Sequence, residues 1–202
     1  MKYFSDEEIR DIAIAVVVIT FIFAFRPLQE IFQGAAPIDL ASLPLYFFIV
    51  VIAFLLHELA HKFVAIKFNS SAVFKIWPQG ILLALFLMLF GLKFVAAGAV
   101  MISPFKFGRW GFRRRDLTGP ETGLIALAGV AVNLVFALLF SMINVVYPNP
   151  AFALIYFVNA WLFLFNMLPV PPLDGSRIMA WNIGVWALLI IIGAFLLLPF
   201  FL

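Results

Sequence analysis

The chain has 202 residues, of which 66% are hydrophobic and only 11% are charged. Its mean hydropathy is +1.16, and runs of about 20 apolar residues are long enough to cross a lipid bilayer. This composition excludes an ordinary soluble enzyme and predicts an integral membrane protein. The net charge of +3 is small and gives no reason to expect nucleic-acid binding. The absence of cysteine excludes disulfides, thiolate metal ligands and a cysteine nucleophile.

The first two membrane spans are predicted in the amino-terminal third of the chain. Ser5 begins an S-x-x-E pattern, which is typical of a helix cap and places acidic side chains at the positive end of a helix. We expect the first span over 9–25. A loop containing glycine and prolines follows over 27–44, and the second span covers 45–68.

The segment 81–102 is predicted to enter the membrane and return to the same side. Its first apolar part is too short to cross a bilayer comfortably. Lys67 and Lys75 precede the segment and a basic cluster follows it, and the positive-inside rule places both flanks in the cytoplasm. We therefore expect a re-entrant hairpin, part helix and part strand. The cluster, which can also contact anionic lipid headgroups, consists of Lys106, Arg109, Arg113, Arg114 and Arg115.

Three further spans are predicted in the carboxy-terminal half, over 121–146, 151–168 and 181–202. Prolines between the last two spans break or kink the helix. The predicted fold class is an all-α polytopic membrane protein with about five to six transmembrane helices and a short re-entrant helix/β segment. We expect residues 1–202 to form a single transmembrane domain.

The second predicted span carries a possible metal site in the sequence HELAH. His57 and His61 are four residues apart and share one face of a helix, so that their imidazoles can bind one Zn²⁺. Glu58 lies beside them and can take a proton from a water molecule at the metal. A chance match is the alternative for so short a motif. However, a charged residue near the membrane centre costs on the order of 2.5 kcal/mol or more, which is hard to sustain without a role.

A third ligand is needed because catalytic zinc usually has three protein ligands and one open position. Asp174 is the best candidate, since it follows the fourth predicted span on the side of the membrane that His61 approaches. Its alternative role is to cap the helix that starts there. Glu121 is the main rival, although a glutamate at a helix start has its own capping explanation.

Two asparagines in the predicted spans each have two interpretations. Asn166 lies about two turns before Asp174 and could donate a hydrogen bond to the oxyanion of a tetrahedral intermediate. Its alternative role is a hydrogen bond to a neighbouring helix. Asn133 has the same two interpretations, and for this residue the packing role is favoured.

The two motifs HELAH and NMLPVPPLDG together resemble the site-2 protease family of intramembrane zinc metalloproteases (peptidase family M50), in its minimal form without PDZ or CBS domains. The family pattern is HExxH followed by N-x-x-P-x-P-x-L-D-G, and this chain matches the second part from Asn166 to Gly175. Residues 128–133 are similar to the family's G-P-x-x-N segment, with Val130 where proline is common. The resemblance covers about residues 45–180.

The resemblance implies a role for each candidate residue. His57, His61 and Asp174 bind Zn²⁺, Glu58 is the general base, and Asn166 helps to hold the substrate carbonyl. It also implies hydrolysis of a peptide bond within or near a transmembrane helix of a membrane-protein substrate. The expected partners are this substrate and the lipid bilayer, without nucleic acid. The expected location is a prokaryotic cell membrane, with the amino terminus and the active-site opening towards the cytoplasm.

Two other classes of protein fit part of the pattern. A metal-binding membrane transporter without hydrolytic activity would also place histidine and aspartate in the membrane, but it would need Glu58 only as a ligand and not as a base. A membrane metalloprotease of the prenyl-protein endopeptidase type has an HExxH motif with a glutamate ligand. Such enzymes have a larger non-membrane catalytic portion than the polar stretches of this sequence can supply.

The charge pattern predicts that both flanks of segment 81–102 face the cytoplasm. Single cysteines introduced at Ser71 and at Arg114 of this cysteine-free chain should react with an impermeant thiol reagent from the cytoplasmic side only. Residues 148–150, between the third and fourth predicted spans, are predicted to form a tight turn on the outer side of the membrane. A cysteine at Pro148 is the control and should react from that opposite side. Labelling of the first two positions from different sides would make 81–102 a full crossing.

Overall fold

The computed structural model of the chain describes residues 3–93, 97–103, 105–108, 111–114 and 116–201, with the backbone alone for 105–108 and 111–114. The side chains of the predicted basic cluster and part of segment 81–102 therefore lie outside the described residues. The chain divides into two compact units. Unit 1 consists of Met1–Leu55 and Val73–Met101, and unit 2 consists of Leu56–Ala72 and Ile102–Leu202.

Most of the described residues are helical, and the strands are short. In chain order, the elements are α1 (Asp6–Ala24), α2 (Leu28–Phe32), α3 (Leu43–Val50), α4 (Leu56–Lys67), β1 (Ser71–Ile76), α5 (Pro78–Met88), β2 (Gly98–Ser103), β3 (Phe105–Gly108), β4 (Gly111–Arg114), α6 (Gly119–Val146), α7 (Pro150–Asn166), α8 (Asp174–Trp181) and α9 (Ile183–Leu197). A turn of wider π-helix, Val51–Leu55, joins α3 to α4 into one continuous helix, Leu43–Lys67. β1 pairs with β2, and β3 forms an antiparallel pair with β4.

Polar groups anchor both ends of α1 in unit 1. The Ser5 hydroxyl accepts a hydrogen bond from the backbone N–H of Glu8 (3.1 Å), as the S-x-x-E pattern predicts. The buried Glu8 carboxylate accepts from the backbone N–H of Phe74 in β1 (2.8 Å). At the other end of α1, the Lys93 amino group donates to the backbone carbonyls of Ile22 and Phe25. The last carbonyls of a helix have no N–H donor within the helix itself.

The interior of unit 1 is formed where α1 and β2 meet their neighbours. α1 packs on α5 through the buried side chains of Ile22, Ala84 and Met88. β2 approaches β1 closely at Gly98, where a Cβ atom would lie 2.4 Å from the ring of Phe74. The absence of a side chain at Gly98 therefore permits this part of the sheet to form.

The central helix of unit 2 is α6, which contacts α4, α7 and α8. It begins with a capping box, in which Thr118 and Glu121 satisfy each other's backbone N–H groups. Glycines let its neighbours come close, as helices in membranes often do through small residues. A Cβ atom at Gly123, for example, would lie 2.5 Å from the indole ring of Trp181. The main apolar core of the unit consists of Ala126, Val130, Phe163, Met167, Ile178 and Leu189.

Three of the described helices are long and apolar enough to cross a membrane, by length and composition: Leu43–Lys67, Gly119–Val146 and Ile183–Phe200. They correspond to the second, third and fifth predicted spans, and they support the prediction of a membrane protein. The fifth begins slightly later than predicted, because Asn182 caps α9. α1, with charged side chains in its first turns, and α7, with 17 residues, fall outside this set. The total of five to six spans and the re-entrant course of 81–102 therefore stay predictions.

Candidate metal centre

Three buried side chains of unit 2 each place one potential ligand atom at the same point. The Nε2 atoms of His57 and His61 are 3.0 Å apart. The Oδ2 atom of Asp174 lies 3.3 Å from Nε2 of His57 and 3.1 Å from Nε2 of His61. Together the three could hold a metal ion, and we call them the His-His-Asp group. The structure therefore brings together the three residues that the sequence predicts as ligands.

Helical spacing and one glycine bring these side chains together. His57 and His61 are one turn apart on α4, so their rings lie on the same face. Asp174 is the first residue of α8, which follows the proline-containing segment after α7. Gly175 lets the start of α8 approach the end of α7, since a Cβ atom there would lie 2.2 Å from the carbonyl oxygen of Met167.

The protonation of His61 follows from its hydrogen-bond partner. Its Nδ1 atom lies 2.7 Å from the backbone carbonyl oxygen of Ile125 in α6. A carbonyl oxygen can only accept, so Nδ1 must carry the proton and donate it. In the neutral imidazole, the lone pair is then on Nε2, the atom that faces Asp174.

His57 has an equivalent partner on its Nδ1 atom. This nitrogen lies 2.7 Å from Oδ1 of Asn133, which is buried in α6. Donation from Nδ1 to this oxygen again leaves the lone pair on Nε2. Histidines that bind metals almost always donate their other ring N–H to an oxygen in this way, because it fixes both the tautomer and the ring orientation.

The spacing and chemistry of the His-His-Asp group fit a zinc ion. Tetrahedral zinc with bonds of 2.0–2.2 Å to nitrogen and oxygen has ligand-to-ligand distances of roughly 3.3–3.5 Å. The observed separations of 3.0, 3.1 and 3.3 Å are close to these values. Two lone pairs and a carboxylate oxygen held this close repel one another unless a metal ion or a proton lies among them. A set of three nitrogen and oxygen ligands is also typical of catalytic zinc, which keeps a fourth position open.

The surroundings of Asp174 favour its ionised form, the form that binds metals. Burial by itself raises the pKa of the Asp174 carboxyl. In the metal-free protein, the positive charge of protonated His61 and hydrogen bonds from both imidazoles lower it by more, so the pKa lies below its ordinary value. The second carboxylate oxygen, Oδ1, lies 3.9 Å from Nη1 of Arg177 on the next turn of α8. The carboxylate thus has a cation on one side and the two histidines on the other.

The backbone of α6 lies directly against the two histidine rings, because the residue that faces them is Gly129. A Cβ atom at Gly129 would lie 2.3 Å from both Cε1 and Nε2 of His61, and 2.9 Å from Cε1 of His57. Ile125, Gly129 and Asn133 are spaced four residues apart and therefore share one face of α6. That face gives the two imidazoles a carbonyl acceptor at Ile125, room for their rings at Gly129 and an amide acceptor at Asn133.

The other predicted site residues are placed as follows. Glu58 is buried on α4, next to His57 in the chain. The side-chain amide of Asn166 donates to the carbonyl oxygen of Leu162 in α7 (3.0 Å), and its role towards a substrate stays a prediction. Glu121, the rival third ligand, caps α6 and is not part of the described His-His-Asp group.

Three contributors to this centre are not among the residues predicted from the sequence. They are the carbonyl of Ile125, the space at Gly129 and the side chain of Asn159, which contacts Asn133. The four-residue spacing of Ile125, Gly129 and Asn133 is a signal that could have pointed to one face of α6. A backbone acceptor and a partner on another helix have no signal of their own in a sequence.

Comparisons with known proteins give the class of this chain. No family model matches it, and no solved structure matches it significantly. It is similar to putative zinc metalloprotease MJ0611 of Methanocaldococcus jannaschii, with 35% identity over 193 residues that cover 92% of this chain and 90% of that protein. It is also similar to putative zinc metalloprotease YwhC of Bacillus subtilis, with 30% identity over 155 residues that cover 69% of each.

The chain therefore belongs to the family of these zinc metalloproteases. The relatives' names and the buried His-His-Asp group confirm the prediction of a metalloprotease with a zinc cofactor. The narrower prediction of a site-2 protease, which cleaves its substrate inside the membrane, goes beyond this family assignment.

The contact at Gly129 predicts that even a methyl group there disrupts metal binding. Gly129→Ala should weaken zinc binding by about 100-fold or more, the upper end of the effect of losing an outer-shell partner, because its Cβ displaces the His61 ring itself. Zinc affinity, measured by competition with a chelator, tests this. Gly119→Ala on the same helix is the control, since its Cβ would meet nothing within 4 Å. Unchanged affinity in a folded Gly129→Ala protein would contradict the close approach of α6 to the two imidazoles.

Proposed function

We propose that this chain is an intramembrane zinc metalloprotease, which hydrolyses a peptide bond within or near a transmembrane helix of a membrane-protein substrate. One observation carries the proposal. His57 and His61 are part of the helix Leu43–Lys67, which is long and apolar enough to cross a membrane. Both are buried, as is Asp174 of α8, which meets them there. His61 precedes the end of that helix, Lys67, by about 9 Å at 1.5 Å per residue. A catalytic centre at this depth would act on peptide bonds that are themselves in the membrane.

The catalytic mechanism needs an activated water molecule and a polarised carbonyl. When bound, zinc supplies Lewis-acid chemistry that polarises a carbonyl and lowers the pKa of a water molecule. Glu58 follows His57 directly, so on α4 it points off the face that the histidines share. It would accept the proton of the attacking water and later deliver it to the leaving amine. His57, His61 and Asp174 would hold the metal and would exchange no proton with the substrate.

Asn166 is proposed to stabilise the negative charge that develops on the substrate carbonyl. Its amide group has two N–H bonds, and the bond to Leu162 uses one of them. The second N–H, at the end of α7, is the one that would donate to the oxyanion.

The proposal includes the location and the partners of the protein. We propose a prokaryotic cell membrane, with the active-site opening towards the cytoplasm, because the basic residues around segment 81–102 favour that orientation. The partner is a transmembrane protein whose helix unwinds locally, since backbone hydrogen bonds otherwise protect its peptide bonds. Cleavage would release a cytoplasmic fragment.

Exchange of the base and of the third ligand separates hydrolysis from metal binding. Glu58→Gln keeps the size and polarity of the side chain but removes the base, so zinc should stay and cleavage should fall by about 100-fold or more. Asp174→Ala should lose both zinc and activity. Asn166→Ala should keep zinc and lose roughly 10²–10³ in rate if it is an oxyanion donor. The measurements are zinc content and cleavage of a model transmembrane substrate in proteoliposomes.

Glu121→Gln is the matched control, because Glu121 is a carboxylate with a capping role. It should keep both zinc and cleavage. A wild-type cleavage rate in Glu58→Gln would refute the mechanism. Zinc retained in Asp174→Ala would mean that the third ligand lies elsewhere. Zinc uptake into the proteoliposomes without any cleavage by the wild type would favour a metal transporter.

A further inference from the structure

A short series of buried polar groups leads from His57 to the backbone of α7. Nδ1 of His57 is 2.7 Å from Oδ1 of Asn133. Nδ2 of Asn133 is 3.3 Å from Oδ1 of Asn159, and Nδ2 of Asn159 is 2.9 Å from the carbonyl oxygen of Ile155. Asn133 and Asn159 have no solvent exposure. We call these two side chains and the Ile155 carbonyl the asparagine relay.

The Ile155 carbonyl fixes the direction of every hydrogen bond in the relay. Because this carbonyl can only accept, Asn159 must turn its NH₂ group towards it, and its oxygen then faces Asn133. Asn133 must therefore donate to Asn159 with its own NH₂ group, and its oxygen faces His57. Nδ1 of His57 must therefore donate its proton to the oxygen of Asn133. A backbone carbonyl three groups away thus determines the tautomer of the imidazole.

We propose that Asn133 and Asn159 are positioning residues, which hold His57 in the tautomer and orientation that presents the Nε2 lone pair to the metal. This inference rests on the zinc binding of the proposed function and deepens it. His61 obtains the same effect from the carbonyl of Ile125. His61 is therefore oriented by a backbone group, whereas His57 is oriented by two side chains, which substitution can remove.

The relay differs from ordinary helix packing in what its substitution would do. A buried polar group that loses its partner costs free energy, whereas an apolar group of the same shape can be nearly neutral. If Asn133 served packing alone, leucine, which has the same number of side-chain heavy atoms, would be the tolerated exchange. Aspartate would be the poor one, because it brings a charge into the interior. The positioning role reverses this order, since aspartate keeps an oxygen opposite Nδ1 of His57 and leucine does not.

The test compares zinc affinity in four purified, detergent-solubilised full-length variants by competition with a chelator. Asn133→Leu should bind zinc 10- to 100-fold more weakly than the wild type, the usual effect of losing an outer-shell partner. Asn133→Asp should restore most of that loss. Asn159→Leu should show a smaller loss, because Asn133 keeps its oxygen but is no longer held in one orientation. Ser141→Ala is the control, since it removes a side-chain hydrogen bond from α6 two turns away.

A second readout uses the fact that the chain has only two histidines. In zinc-loaded protein labelled with ¹⁵N-histidine, the Nδ1–H signal of His57 should exchange slowly with water in the wild type and in Asn133→Asp. In Asn133→Leu it should exchange faster, while the His61 signal stays unchanged as an internal reference.

Zinc bound equally well by wild type and Asn133→Leu would overturn the positioning role of the asparagine relay and leave the proposed function intact. A wild type that binds no zinc would overturn the proposed function itself. If Asn133→Leu keeps zinc and Asn133→Asp loses it, the role is packing.

Discussion

The structure of unit 2 depends on the convergence of three acceptor atoms in a buried place. Two imidazole lone pairs and a carboxylate oxygen lie within 3.3 Å of one another, and water cannot screen their repulsion there. A cation among them turns this repulsion into attraction. The two ring N–H groups that point the other way also need acceptors, because an unsatisfied buried donor costs about 1–3 kcal/mol. Each imidazole therefore needs two partners: a cation at Nε2 and an acceptor on α6 at Nδ1.

The helix that meets these demands is α6, which carries no proposed ligand. Along one face it offers the carbonyl of Ile125, the space at Gly129 and the amide of Asn133. The partners of the two imidazoles thus belong to a helix whose length and composition suit a membrane span. The arrangement explains how a small chain without cysteine can support a metal centre: rigid helices supply both the ligands and their partners.

Sequence alone could predict the features that depend on spacing and composition. His57 and His61 were identifiable from their four-residue spacing, and three spans from their apolar runs, because helix geometry and bilayer thickness act locally. For Asp174 the sequence left a cap and a ligand as alternatives, and the tertiary structure brings it to the histidines while Glu121 caps α6. The pairing of each imidazole with its partner could not be predicted. The partner of His61 is a backbone carbonyl, and Asn133, the partner of His57, was identifiable only as an asparagine that could bond a neighbouring helix.

Zinc X-ray absorption on the zinc-loaded protein tests the central claim most directly, because it observes the atoms around the metal without requiring activity. The account predicts nitrogen and oxygen neighbours at about 2.0–2.2 Å, with the multiple-scattering features of two imidazoles. It also predicts that these features are lost or altered in Asp174→Ala. A spectrum without imidazole features, or the same spectrum in the wild type and in Asp174→Ala, would contradict the assignment of the His-His-Asp group as the metal centre.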